Sequence, residues 1–310
     1  MKIVGLAEIR GALDHAAVID RMRDALIAQA RGECDTPMPM HLDIDNERAE
    51  IHMKSSFRRG GKYFALKIAG TFPGNVARGL PTGNGLMLLG SAETGAPVAL
   101  LADEGYLTDL RTAAVAAMMA RELGRRDAAL GILGSGVQAR LEARMHAEVL
   151  DLKEIWIWGR TPERVEQCRQ DVAALLPGVR VFAAGSPGEV ARRARLIVTA
   201  TASRQPLLQF ADLQPGTHIS AVGADAPGKQ ELDREILGRA ALLLVDSRRQ
   251  CEKLGELQHA SAASHRAVEA GAYCESPPAW DRGGISVCDF TGLGVEDLYI
   301  AEYCYERSAP

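Results

Sequence analysis

The sequence predicts an α/β protein whose larger part is a doubly wound parallel sheet, preceded by a mostly antiparallel region. Three observations carry this reading. From Ala128 onward, apolar runs of strand length alternate with helical patterns. A glycine-rich turn, Gly134-Ser135-Gly136-Val137-Gln138-Ala139, joins the first of those strands to the first helix. Before about residue 102, short alternating segments broken by Gly/Pro turns take the place of that rhythm.

Asp14 to Arg31 spaces Ala17, Val18, Met22, Ala25 and Leu26 as one helix face, and Gly32 is a stop signal. Pro37 and Pro39 prevent the helix from continuing. Alternating segments follow at 38–44, 49–53 and 63–68, and "GLMLLGSAETGAPVALLAD" reads as two strands around a turn at Glu93–Gly95. A long Ala/Leu-rich helix is expected over about 107–123. Then "AALGILG", "EIWIWGR", "VRVFAA", "LIVTAT", "THISAVG" and "ALLLVDS" read as strands, the last of these being the final strand. The helices "QARLEARMHAEVL", "PERVEQCRQDVAALL" and "PGEVARRA" fall among them. The tail "EDLYIAEYCYER" is amphipathic and predicted helical.

The bulk numbers exclude several classes. With 310 residues, 47% of them hydrophobic and 25% charged, the chain has room for two domains of ordinary globular composition. A net charge of −4 argues against a nucleic-acid partner. No apolar segment is long enough to span a membrane, and early charges interrupt any signal-peptide core. Six cysteines without a CxxC pair or a Cys/His cluster of zinc spacing suggest reduced thiols in a cytoplasmic protein with no metal.

The glycine-rich turn has the chemistry of a pyrophosphate cradle. Gly134 permits the tight turn, Gly136 lets backbone approach the phosphates, and Ala139 lets helix and strand pack closely. Phosphate then sits at the positive end of the following helix. In an NAD site the second strand ends in an acid that binds the ribose hydroxyls. Here it ends in Gly159, Arg160 and Thr161. A guanidinium and a hydroxyl suit a 2′-phosphate, which favours NADP(H) and leaves NAD(H) possible. Arg160 could instead stack on adenine or face solvent.

Three further residues stand out. Lys67 interrupts an apolar strand in "YFALKIAGTFPGN", and a buried ammonium must be ion-paired or functional. Arg111 is the charge at the head of a long small-apolar stretch, "TDLRTAAVAAMMA", and could grip a carboxylate or lie at the surface. Asp225 follows a strand at the carboxyl edge of the parallel sheet, where ligands bind in such folds, though an Asp there can also cap a turn.

These strings together resemble the ornithine cyclodeaminase/mu-crystallin family. The matching stretches are "LKIAGTFPGN", "PTGNGLMLLGSAETGAPVALLAD", "LTDLRTAAVAAMMARELG", "GILGSGVQA", "IWGRTPER", "VTATAS" and "AVGADAPGKQEL", in the family's order. The resemblance implies a Rossmann-type dinucleotide domain, 123–292, inserted into an α+β substrate-binding and dimerisation domain, 1–122 plus 293–310. It implies that Lys67 and Arg111 hold a substrate carboxylate, with Thr82 against the substrate, and that Asp225 is the acid/base at the reacting nitrogen. Gly136, Val137 and Gln138 would hold the pyrophosphate with Thr112 nearby. Thr199, Thr201, Val222, Gly223 and Ala224 would line the nicotinamide side, and Lys229 would lie near the cofactor. Two departures stand where substrate or nicotinamide would be read. His41 or Met40 occupies the place of a family arginine, and Asp289, Phe290 and Thr291 stand where the family has a lysine and a serine.

The implied partner is a small amino or imino acid, and the implied assembly is a homodimer. Three activities remain open at this point. One is ornithine cyclodeamination to proline and ammonia. Another is NADP-linked imino-acid reduction or amino-acid dehydrogenation. The third is non-catalytic, NADP-dependent binding of a small ligand.

Overall fold

The chain opens with β1 (Lys2–Gly5), α1 (Leu6–Ala12) and α2 (His15–Ala30) in the computed structural model, which describes residues 1–44 and 49–308. Asp14 starts α2 by accepting the Ala17 N–H at 2.8 Å, and Gly32, at φ +67°, lets the chain turn away from it. Strands β2 (Cys34–Asp35), β3 (Met40–Ile44), β4 (Ala49–Arg58), β5 (Tyr63–Thr71), β6 (Gly83–Ser91) and β7 (Pro97–Ala102) follow. They form one sheet in the order β1-β7-β6-β5-β4-β2, with β3 also on β4. All its pairings are antiparallel except β1 with β7. The sequence reading had one helix here; α1 is a second, and β1 adds an unanticipated parallel edge.

Helix α3 (Tyr106–Glu122) leads to β8 (Ala129–Leu133), α4 (Val137–Val149), β9 (Glu154–Trp158), α5 (Pro162–Leu175), β10 (Arg180–Ala183), α6 (Pro187–Arg193) and β11 (Leu196–Thr199). Then come β12 (Arg204–Leu208), β13 (His218–Ala221), β14 (Gln230–Leu232), α7 (Arg234–Arg239), β15 (Leu242–Val245), α8 (Arg248–Leu254), β16 (Val268–Glu269), α9 (Ala270–Glu275) and β17 (Ser286–Asp289). Eight of these strands form an all-parallel sheet, β10-β9-β8-β11-β13-β17-β15-β16, and β12 pairs with β14 apart from it. The order reverses between β8 and β11, the switch point at which such sheets bind ligands. The sequence reading ended the sheet at β15. In fact β17 comes later in the chain and inserts between β13 and β15. Its four residues begin with Ser286 and end with Asp289, so no apolar run announces it.

The chain closes with α10 (Gly294–Ser308). Two compact units result, Met1–Arg111 with Leu293–Pro310, and Thr112–Gly292. The division falls inside α3. The reason is packing: Ala120 belongs to the same core cluster as Leu130, Ile132, Ile155 and Val198 of the parallel sheet.

In the first unit α10 packs on β4, β5 and α2. The sheet face toward α10 carries Met87, Leu89, Ala99 and Leu101, all fully buried. The opposite face carries Ile3, Met40, Leu42, Ile44 and Ile68, each at least a third exposed, with half-buried Leu86, Leu88 and Leu100 among them. Among the described residues no helix is long and apolar enough to cross a membrane. All six cysteines are buried, and none is in a disulfide.

Candidate active site

The first unit buries an ionic cluster beneath α10. Lys67 lies on β5 at the register position opposite Lys54 of β4, and Arg111 is on α3. All three side chains are buried. The first turn of α10 supplies the counter-charges. Asp297 Oδ2 is 3.1 Å from Lys67 Nζ, while Arg111 donates from Nε to Asp297 at 3.0 Å and from Nη1 to Glu296 at 2.9 Å. Carboxylates are also favoured there by the helix dipole. Burial pushes the Lys67 ammonium down to about 7, with Arg111 and Lys54 adding to the effect and Asp297 opposing it. The neighbouring Asp103 carboxyl is raised by burial, while the N–H of Leu107 donates to it at 2.8 Å. Lys67 and Arg111 are thus ion-paired to the first turn of α10, with the Lys54 ammonium acting on Lys67 and the Asp103 carboxyl close to Asp297.

Sequence reasoning found Lys67 and Arg111 but missed Lys54, Glu296 and Asp297. Acids at a helix start are ordinary, and nothing local in "LGVEDLY" marks them as buried partners of a residue 186 positions away. Thr82 is exposed, and its carbonyl accepts the Phe72 N–H at 2.7 Å. His41 stands on β3 with its Nε2 2.8 Å from Asp43 Oδ1. Opposite it on β4 is His52, and their rings meet edge to face at 4.6 Å. His41, His52 and Glu50 form a group that could hold a metal ion, which sequence spacing had not suggested.

The second unit holds the glycine turn. Gly134 has φ +137°, and a Cβ there would lie 2.6 Å from the Ala200 carbonyl oxygen, so only glycine fits. At Gly136, the N-cap of α4, a Cβ would meet nothing within 4 Å: the turn is open on that side. Arg140 donates to the carbonyls of Ser135 and Gly136 at 3.0 and 2.9 Å and pairs with Asp171. These carbonyls are thus held by Arg140, and no side chain caps the first turn of α4. The positive end of the helix dipole there favours an anion. Val137 is exposed there, and Gln138 and buried Ala139 follow. These features fit a dinucleotide pyrophosphate.

At the end of β9, Arg160 and Thr161 are both exposed, and Thr161 is the N-cap of α5 without a side-chain cap bond. A Cβ at Gly159 would lie 2.7 Å from Ser135 Oγ, so a larger residue there would have to displace that hydroxyl.

The loops after β11 and β13 are organised around Glu231, which sequence reasoning also missed. Its carboxyl accepts from the hydroxyls of Thr199 and Thr201, both at 2.7 Å, and from the N–H groups of Thr201 at 2.6 Å and Gly223 at 3.0 Å. Burial drives Glu231 up to about 7 against the pull of those bonds. The two threonine hydroxyls are therefore turned to Glu231. The Thr291 hydroxyl is likewise turned to a carboxylate. Thr291 is buried, with its hydroxyl against Asp246 and accepting from Gln250 at 2.9 Å, so the hydroxyl is directed into the core. Val222 is half-buried and Ala224 is buried. Beyond them Asp225 is partly exposed, with Lys229 Nζ 2.7 Å from its Oδ1. Thr112, half-buried on α3, is the first residue of this unit.

The architecture is that of a Rossmann-type α/β protein with an appended antiparallel sheet. The chain matches the model of the ornithine cyclodeaminase/mu-crystallin family over residues 2–309 and belongs to that family. A Rhizobium meliloti protein, provisionally named a dehydrogenase, is 38% identical, with 99% of this chain and 96% of that protein aligned. The structure of the Paracoccus denitrificans iminosuccinate reductase in complex with NAD+ is 29% identical. It superposes at a TM-score of 0.87 over 99% of this chain and 96% of its own. A lysine cyclodeaminase, solved for its recognition of L-lysine, L-ornithine and L-2,4-diaminobutyric acid, is 31% identical. It superposes at 0.89, covering 99% and 92%. With relatives so named over almost its whole length, the chain is an enzyme of the dehydrogenase, imine-reductase or cyclodeaminase class.

Proposed function

We propose that the chain catalyses NAD(P)-dependent interconversion of a small 2-amino acid and its imine, with net hydride transfer at the Cα–N centre. The observation that carries this is the burial of three cationic side chains, Lys67, Arg111 and Lys54, in one cluster of a chain that also holds a phosphate cradle and a partly exposed acid, Asp225. Lys67 and Arg111 hold the substrate carboxylate, and that anchoring fixes the orientation of Cα. When bound, the nicotinamide supplies or accepts the hydride. Asp225 handles the proton: it takes one from the substrate ammonium when the amine is oxidised and returns one to the imine nitrogen on reduction. Lys229 holds the carboxyl in place.

Cyclodeamination is the second reading, favoured by the family match and the lysine cyclodeaminase likeness. There the imine formed from ornithine is attacked by its side-chain amine, ammonia leaves, and reduction of the cyclic imine restores the cofactor. The deciding experiment follows NADPH and NADH oxidation with a panel of linear and cyclic imino acids, beside an ammonia assay on L-ornithine. Net cofactor oxidation supports the first reading. Ammonia release without net oxidation replaces it with the second, and ligand binding without any turnover removes both.

The cofactor side favours NADP(H), because Arg160 and Thr161 stand where an NAD site has its acid. Arg160→Glu should weaken NADPH binding about 10- to 100-fold while sparing NADH. Equal affinities of the unmutated protein for both, measured by fluorescence titration, would end the preference.

The Lys67 ammonium also sets a pH dependence. A carboxylate ligand needs the charged form, so its affinity should fall about tenfold per pH unit above about 7. Binding of a 2-oxo acid, which has no amine to titrate, isolates this effect between pH 6 and 9. Lys67→Arg should flatten the alkaline limb, since guanidinium keeps its charge. A wild-type profile already flat to pH 9 would contradict the assignment.

The assembly is a homodimer in this reading. In the apolar hairpin of β6 and β7, Met87, Leu89, Ala99 and Leu101 face inward. The exposed apolar surface is the other face, extended by Met40, Leu42, Ile44 and Ile68. Light scattering at micromolar concentration should give a dimer, and Leu42→Glu with Ile68→Glu should give a folded monomer. A monomeric wild type would refute it.

A further inference from the structure

We propose that His41, His52 and Glu50 form a binding site for one divalent ion of the zinc class. The site is built by strand register. His41 of β3 lies directly across from His52 of β4, and Glu50 lies two residues before His52, on the same face. One ligand atom from each of the three comes within 4.8 Å of the others. Zinc–nitrogen bonds of about 2.0–2.1 Å place tetrahedral ligands roughly 3.3 Å apart, so small side-chain rotations close the set.

Two further features point to a cation here. His41 Nδ1 and His52 Nε2 are both buried and have no hydrogen-bond partner among the described residues, although a buried ring nitrogen ordinarily finds one. His52 is 9% exposed, and its Nε2 lies 3.7 Å from Glu50 Oε2, too far for a hydrogen bond. Meanwhile His41 Nε2 is 2.8 Å from Asp43 Oδ1. That contact fixes the tautomer with the proton on Nε2, leaving Nδ1 as a lone-pair donor. A carboxylate behind a ligating histidine is the usual support of a metal site. Two imidazoles and one carboxylate are ligands that suit zinc, and three protein ligands leave one position open. The open position lies on the sheet face that also carries Lys54 and Lys67, because His52, Lys54 and Lys67 share that face by register.

The test uses the full chain, stripped with chelator and free of substrate and cofactor, so its outcome is independent of the proposed reaction. Calorimetric titration with Zn2+ should give one saturable site, and Co2+ should give visible d–d bands. His52→Ala and Glu50→Gln should each weaken Zn2+ binding by about 100-fold, and Asp43→Ala by about 10- to 100-fold. Circular dichroism confirms that the variants fold. Three results would overturn the proposal: no saturable Zn2+ binding, His52→Ala titrating like the wild type, or a Co2+ spectrum dominated by thiolate charge transfer, which would assign the ion to cysteine.

Discussion

Asp225→Asn should lower kcat by roughly 10²–10⁴-fold while dinucleotide affinity and melting temperature stay close to those of the wild type. Asparagine keeps the shape and can still meet Lys229, but it can neither take nor return a proton at the substrate nitrogen. Asp225 is partly exposed on a loop beyond β13, and Lys229 is its ion-pair partner at 2.7 Å. If the carboxylate served only to hold that loop, its loss would cost stability by about 1 kcal/mol and leave turnover alone. The two roles thus separate cleanly in one variant. Lys67→Met should behave differently, raising KM through loss of a contact present in ground and transition states alike. Near-normal kcat in Asp225→Asn would remove the acid/base assignment.

The parts of this molecule legible in its sequence are those written by local chemistry. The turn from Gly134 to Ala139 reads as a cradle because φ +137° at Gly134 is a constraint on one residue. The alternation of β8, α4, β9 and α5 is likewise a pattern of adjacent segments. Lys67 and Arg111 are visible because a lone charge in an apolar run needs an explanation. What escaped reading depends on register and long-range packing. Strand β17 is too short and too polar at its ends to announce itself. Glu231 gathers Thr199, Thr201 and Gly223 from loops that only the parallel sheet brings together. The meeting of His41 with His52 exists only once β3 is paired with β4. The counter-ions of the cationic cluster, Glu296 and Asp297, sit in the opening turn of a helix whose sequence pattern is simply amphipathic.

Those counter-ions lead to the largest expected effect on stability. Asp297→Asn should destabilise the protein by about 3–5 kcal/mol, because it leaves buried cations short of a partner. Asp297 is 1% exposed and meets both Lys67 and Arg111, so no solvent replaces it. The loss should depend on pH, with a determinate sign. Asp297 raises the Lys67 ammonium toward its ordinary value, and without it Lys67 titrates lower than about 7. Above that value the lysine sheds its proton and escapes the penalty; below it the charge must be buried unpaired. Destabilisation should therefore be larger at pH 6 than at pH 9. Adding Lys67→Met to Asp297→Asn should recover part of the lost stability, since removing both members of a buried pair costs less than removing one. Denaturant unfolding of the two single variants and the double variant at both pH values completes the cycle. A double variant less stable than Asp297→Asn alone, or a loss equal at pH 6 and pH 9, would show that the pair does not carry the charge balance described above.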